Sequence, residues 1–123
     1  RRIVIAGAGA LVGRPVALWL LNAGATLSII RSSTPSPEEF LRAADIIISG
    51  MGKPRFITGD MLKEGVIIID AGTSESEGKI AGDIDFESAT PKASYITPVP
   101  GGVGPVTVVM LLKNVVILAR ARS

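Results

Sequence analysis

The chain contains no cysteine and no histidine, and only one tryptophan and one tyrosine. The first absence removes disulfides, thiolate nucleophiles and thiolate metal ligands; the second removes the commonest acid/base and metal-binding side chain. Any chemistry must use other groups, and no side chain here is a convincing catalytic residue or metal ligand. Charge of one sign is also scarce. Thirteen Lys and Arg against eleven Asp and Glu leave a net +2, scattered without a basic stripe, which argues against a nucleic-acid partner. The apolar run Val106 to Leu112 is cut by Lys113 and Asn114, short of the roughly 20 residues that a membrane span needs. A soluble, cytoplasmic protein without a membrane partner is expected. The chain enters a strand directly at Arg1 without an initiator methionine, and is expected to be part of a longer polypeptide.

What the chain does have is apolar content: 47% of its 123 residues are hydrophobic and 20% charged, a balance that fits one globular domain with one core, residues 1–123. Runs rich in Ile and Val recur at Ile3 to Gly7, Thr26 to Ile30, Asp45 to Ser49 and Gly65 to Asp70. Their continuous apolarity predicts strands buried on both faces of a parallel sheet. Between them, Val12 to Ala23 has helical spacing and stops at Gly24, while Pro35 to Ala44 predicts a second helix with Ser36 as N-cap and Pro37 at its first position. Strands alternating with helices imply right-handed crossovers. The fold class is therefore α/β, a Rossmann-like doubly wound and mostly parallel sheet with helices on both faces. Further on, Gly59 to Gly65 reads as a short helical turn, Lys79 to Phe86 as a strand end and loop, and Ala93 to Pro98 as another short strand. Pro105 to Arg120 reads as a long terminal helix with Arg120 and Arg122 at its negative end.

Two loops carry candidate chemistry. In "IVIAGAGALVGRP", Gly7, Gly9 and Gly13 fall at a strand-to-helix turn, where bare backbone lets a pyrophosphate approach the N–H groups of the helix start. A tight turn with glycines for helix-to-strand packing is the other reading. At the end of the second strand, where an acidic residue would hold the ribose of NAD, the sequence is Arg31-Ser32-Ser33-Thr34. A guanidinium and hydroxyls suit a 2′-phosphate, so NADP is favoured, with NAD possible. Asp83 and Asp85, two residues apart, read as a turn and helix cap rather than an acid/base pair or metal site.

Taken together, these motifs resemble the NAD(P)-binding, C-terminal domain of the methylenetetrahydrofolate dehydrogenase/cyclohydrolase family. The resemblance runs along nearly the whole chain and rests on "LVGRPVALWLLNAGATLSI", "ADIIISGMGKPRFITGDMLKEGVIIIDAG", "GDIDF" and, most specifically, "ASYITPVPGGVGPVTVVMLLKN". It implies a domain that holds NADP while an N-terminal catalytic domain, not contained in this chain, supplies the reacting side chains. The family's Y-x-x-x-K helix has no counterpart, since no lysine follows Tyr95 at that spacing, and Tyr95 is expected in a core strand. Complete enzymes of this type oxidise 5,10-methylenetetrahydrofolate with NADP and hydrolyse the methenyl product to 10-formyltetrahydrofolate, and homodimerise.

Residue by residue, Gly7, Val12, Gly13 and Pro15 match the family's first glycine loop. Ala8 and Gly9 stand where the family has Arg and Ser; Arg31, where many members have His, followed by Ser32, is expected to make up the missing charge. Gly52 in "GMGKP" and Thr73 in "DAGTSE" fall at the family's cofactor-facing turns. The resemblance also turns "TPVPGGVGP" from a linker into the expected folate wall, Pro98, Val99, Pro100, Gly101 and Gly102. Two other classes stay open: a non-catalytic nucleotide-binding or dimerisation module with a degenerate glycine loop, and a different dehydrogenase with a similar Rossmann half. The Pro- and Gly-dense block speaks against the latter.

Overall fold

The computed structural model describes residues 1–121. Five strands form a parallel sheet: β1 (Ile3–Ala6), β2 (Leu27–Ile30), β3 (Ile46–Ser49), β4 (Val66–Asp70) and β7 (Ala93–Ile96), in the order β2-β1-β3-β4-β7. From β1 the chain crosses to β2 through α1 (Gly13–Asn22) and returns past β1 to β3 through α2 (Pro37–Ala43). Two crossovers in opposite directions, each right-handed, put α1 and α2 on opposite faces and create the topological switch point between β1 and β3.

The main core lies on the α2 face. Val4 and Ala6 of β1, Ile30, Ile47, Val66 and Ile68 pack with Leu41 and Ala44, and with Ile57, Leu62, Ile84 and Ala89 from the following segments. Each fully buried aliphatic side chain contributes about 1.5–3 kcal/mol. A short 3-10 turn (Gly59–Met61) and α3 (Phe86–Ala89) close this side. The opposite face differs from the expectation of full burial. In β3 and β4 burial alternates, leaving Ile46, Ile48, Ile67 and Ile69 half-buried, because α1 packs mainly over β1 and β2.

Other details also depart from the sequence reading. Ser36 sits at the N-cap position of α2 but in the left-handed region (φ 47°), and its hydroxyl makes no capping bond; its carbonyl instead accepts from Glu39 N–H at 3.1 Å. Tyr95 is 59% exposed, because β7 is an edge strand, not a core one. Residues 79–81 are paired: β5 (Ser74–Ser76) and β6 (Lys79–Ala81) form an antiparallel hairpin. The terminal helix, α4 (Val103–Ala121), starts two residues before Pro105, which falls in the first turn, where its missing N–H has no helical partner to lose. Arg122 lies outside the described residues.

At the amino ends of the strands, Asp45 accepts from Arg2 N–H at 2.6 Å and from the Lys63 ammonium. The Lys63 hydrogen bond, then that of Arg2, holds the Asp45 carboxyl at about 2, below its ordinary 3.8. A lowered carboxyl stabilises the fold above the unfolded value and loses that contribution as pH falls through the folded one. Lys63→Met is therefore expected to lower the melting temperature at about pH 5, with the gap to the unmodified chain closing as the pH falls from about 4 to about 2. A pH-independent gap in thermal melts would refute this.

Candidate functional site

The carboxyl ends of β1, β2 and β3 converge through backbone bonds. Gly7 N–H donates to the Ile30 carbonyl and Gly50 N–H to the Ala6 carbonyl, both at 2.8 Å. Gly7 has φ 108°, and a Cβ there would lie 2.5 Å from the Gly50 oxygen, so only glycine fits. Gly13 opens α1 directly against this loop; its Cβ would lie 2.0 Å from the Gly7 oxygen. The helix start is thus held against a loop without side-chain bulk, the geometry that a phosphate requires.

Over this junction lies a cavity of about 160 Å³, lined by Gly7, Ala8 and Gly9, by Arg31 and Ser32, and by Gly50 and Met51. Arg31 is fixed by a turn: its N–H donates to the Thr34 hydroxyl at 2.8 Å, and Thr34 N–H returns to the Arg31 carbonyl at 3.0 Å. Thr34 does not line the cavity, so Arg31 and Ser32 supply its polar side chains. A second cavity of about 660 Å³ opens on the same rim, between Leu11 and Val12, the segment Asp70 to Thr73, and the segment Pro98 to Pro105. This volume is in the range of small-molecule sites. A concavity of about 460 Å³ at the amino ends of β1 and β2 is on the side of the sheet where open α/β folds do not place ligands.

The expected site residues fall into three sets. Gly7, Ala8, Gly9, Arg31 and Ser32 share the smaller cavity; Val12, Thr73, Pro98, Val99, Pro100, Gly101 and Gly102 share the larger. Gly13 and Gly52 line neither. Gly13 serves the packing just described, and Gly52 holds a positive φ of 68° in its turn. Lining residues beyond the expected ones are Gly50 and Met51, within the "GMGKP" turn; Asp70, Ala71 and Gly72, within "DAGTSE"; and Leu11, Ile80, Val103, Gly104, Pro105 and Thr107. The first two follow β3 directly, and their place beside the switch point was the available signal. Gly102 has its own structural need for glycine, since a Cβ would lie 2.2 Å from the Pro98 oxygen.

The greatest departure concerns the acidic pair. Asp85 does precede α3, but its carboxylate accepts from the Ser88 hydroxyl at 2.7 Å and makes no capping bond. Asp83 is neither turn nor cap: it is fully buried. Its Oδ2 accepts from the Ser49 hydroxyl and from Met51 N–H, both at 2.7 Å, and its Oδ1 from Lys53 N–H at 3.0 Å. Asp70 in turn accepts from Gly72 N–H at 2.9 Å, Asp83 N–H at 3.2 Å and Ile84 N–H at 3.1 Å. Burial pushes the Asp70 carboxyl up, against the pull of these three N–H groups, and the neighbouring Asp83 adds to the rise.

A parallel sheet with a glycine loop, a cation and two cavities at its carboxyl rim defines a dinucleotide-binding domain of the doubly wound class. All residues 1–123 match the family "Tetrahydrofolate dehydrogenase/cyclohydrolase, NAD(P)-binding domain", and the chain belongs to that family. It is 49% identical over 121 residues to the "Bifunctional protein FolD" of Campylobacter curvus, covering 98% of this chain and 42% of that protein. To the protein of the same name from Moorella thermoacetica it is 51% identical, over 98% of this chain and 43% of that one. The chain thus spans little more than two fifths of the curated relatives it matches.

Among solved structures it is similar to the bifunctional FolD methylenetetrahydrofolate dehydrogenase/cyclohydrolase of Campylobacter jejuni. That match has a TM-score of 0.93 at 52% identity, covering 98% of this chain and 43% of that one. The Trypanosoma brucei enzyme, solved with NADP cofactor and inhibitor, gives 0.86 at 44% identity, over 93% and 41%.

Proposed function

We propose that this domain holds NADP for a bifunctional enzyme whose catalytic side chains lie on an N-terminal domain outside this chain. The complete protein would oxidise 5,10-methylenetetrahydrofolate to the methenyl form and hydrolyse that to 10-formyltetrahydrofolate. The observation that carries this reading is the pair of cavities on one rim, one with bare glycine backbone beside Arg31, the other walled by Pro98 to Gly102. The fit to the cofactor is specific: Gly7 and Gly9 leave room for a pyrophosphate, and Arg31 with Ser32 offers a cation and a hydroxyl to a 2′-phosphate. Held there, NADP would supply the acceptor for a hydride from the one-carbon bridge of the folate.

This chain's own part is positioning. The first loop and Val12 fix where the cofactor passes from one cavity to the other, Thr73 borders the larger cavity through a segment held by Asp70, and residues 98–102 offer a rigid surface to the flat pterin. Holding both reactants in one geometry makes the transfer effectively unimolecular. No side chain among the described residues is a candidate general acid or base, so the domain alone is expected to bind without turnover. The complete protein is read as cytoplasmic and homodimeric; β2 is an edge strand of the sheet with Ile29 47% exposed, an edge a second copy can pair with.

Titration of the chain with both dinucleotides tests the cofactor assignment. Arg31→Ala is expected to weaken NADP binding by about 10- to 100-fold, the worth of charge-assisted bonds to a phosphate, and to leave NAD within about twofold. An unchanged ratio of the two affinities would remove the case for NADP. Turnover of methylenetetrahydrofolate by the complete polypeptide distinguishes the enzyme from a non-catalytic nucleotide-binding module.

A further inference from the structure

Asp83 is the most enclosed acidic side chain among the described residues, and its partners there are not cations but the Ser49 hydroxyl and the backbone N–H groups of Met51 and Lys53. Those three donors span the turn that follows β3, whose Gly50 and Met51 form a wall of the smaller cavity. The backbone of the same aspartate is held from the other side. Asp83 N–H and Ile84 N–H both donate to Asp70, and Asp70, Ala71 and Gly72 form a wall of the larger cavity. A continuous route therefore runs from one cavity wall to the other: the segment after β4, the Asp70 carboxylate, the Asp83 backbone, the Asp83 carboxylate, the turn after β3. The packing leaves no slack. A Cβ on Gly72 would lie 2.3 Å from Asp83 Cγ, and one on Gly82 would lie 2.0 Å from Asp70 Oδ2.

We propose that Asp83 is a positioning residue for the dinucleotide, its carboxylate holding the Gly50–Lys53 turn in the shape that walls the phosphate end and in register with the Asp70–Thr73 wall. This rests on the cofactor reading given above. The chemistry explains why a carboxylate stands there. Three donors converge on two oxygens, and an ionised carboxylate is acceptor-only with lone pairs for all of them. Asparagine has one acceptor and one donor end, so it sets an N–H against either Lys53 or the Ser49 and Met51 pair, and a buried donor left facing a donor opens the turn.

The test compares Asp83→Asn with a control for simple loss of stability, Leu41→Ala, which opens a hole in the core away from both cavities. Binding of NADP to the folded chain is measured by calorimetry at a temperature where both variants are folded, and exchange of the Met51 and Lys53 amides by NMR. Asp83→Asn is expected to raise the dissociation constant at least about tenfold and to strip protection from both amides, whereas Leu41→Ala lowers the melting temperature but stays within about twofold in affinity. Affinity of Asp83→Asn within about twofold of the parent, or equal weakening by Leu41→Ala, overturns the proposal. Should Asp83→Asn not fold, Ser49→Ala carries the test: weakening of about threefold or more supports it, and an unchanged constant overturns it. An unmodified chain that binds neither NADP nor NAD refutes the cofactor reading itself, and the proposal with it; parent and variant binding equally well refutes only the role of Asp83.

Discussion

Gly13→Ala is expected to destabilise the domain strongly, while Gly9→Ala, four residues earlier, leaves both the fold and cofactor binding nearly intact. The difference comes from what each new methyl would meet. At Gly13 it would lie 2.0 Å from the Gly7 carbonyl oxygen and 2.7 Å from its carbon. Both are backbone atoms, and Gly7 is itself pinned to Ile30. No side chain can swing away, so α1 must lift off β1 and expose the buried Ala17 and Ile5 beneath it. Such a backbone clash costs roughly 3–5 kcal/mol, and a fall in melting temperature on the order of 10 °C or more. At Gly9 a methyl finds nothing within 4 Å, and the lost flexibility of the unfolded chain makes the change neutral or slightly stabilising. Gly9 also lines the small cavity, but it stands where the family's first loop has serine, so a methyl there is expected to leave NADP binding within about threefold of the parent. Thermal melts of both variants and titration of Gly9→Ala check this. Loss of NADP binding by a folded Gly9→Ala would show that the loop needs bare backbone at Gly9 as well as at Gly7.

The same contrast between local and distant causes decides how much of the molecule was legible in its sequence. The strands β1 to β4 were legible because their Ile and Val runs are a local signal, and the glycine loop because its residues are neighbours. The hairpin of β5 and β6 was not. Its strands, Ser-Glu-Ser and Lys-Ile-Ala, are short and largely polar, and its only local mark is the turn at Glu77 and Gly78, with φ of 54° and 75°. That turn geometry favours a two-residue hairpin loop. Ser36 was misread because the capping rule looks at residue type, whereas the left-handed backbone at that position turns the hydroxyl away from the helix. Asp83 lay beyond local reading altogether. Its partners are 30, 32 and 34 residues away, so the pattern Asp-Ile-Asp looks like a turn until the sheet brings Ser49 and the β3 turn onto one carboxylate. The larger cavity was not read as such; the resemblance singled out residues 98–102, which line it, while Asp70 and Ala71 enter it at the end of β4. Half-coverage of Ile46, Ile48, Ile67 and Ile69 likewise depends on what lies across the sheet, which no run of residues records.

Cutting the chain after Gly102 is expected to change its association state far more than its stability. Helix α4 contributes no buried residue, yet Val108, Val109, Leu111, Leu112, Val115 and Leu118 are each more than half exposed. This helix of 19 residues, although interrupted by Lys113 and Asn114, is long and apolar enough, by length and composition, to cross a membrane. In water it instead needs burial in a protein interior. Alone it gains little from its own hydrogen bonds, since isolated helices of this length are marginal. The uncut chain is therefore expected to self-associate in sedimentation runs, and the shortened one to be monomeric with a melting temperature within about 4 °C. In the complete polypeptide the N-terminal domain is the proposed cover, and amides from Val108 to Leu118 should then exchange at least about a hundredfold more slowly than in the uncut chain. Equal exchange in both would remove that domain as the cover. Flotation of the complete polypeptide with phosphatidylcholine vesicles would assign the helix to a bilayer instead. The distinction bears on catalysis, because α4 begins at Val103 and the larger cavity is lined by Val103, Gly104, Pro105 and Thr107 of its first turns. Whatever grips the rest of this helix also sets the angle of the Pro98–Gly102 wall against which the folate is proposed to lie.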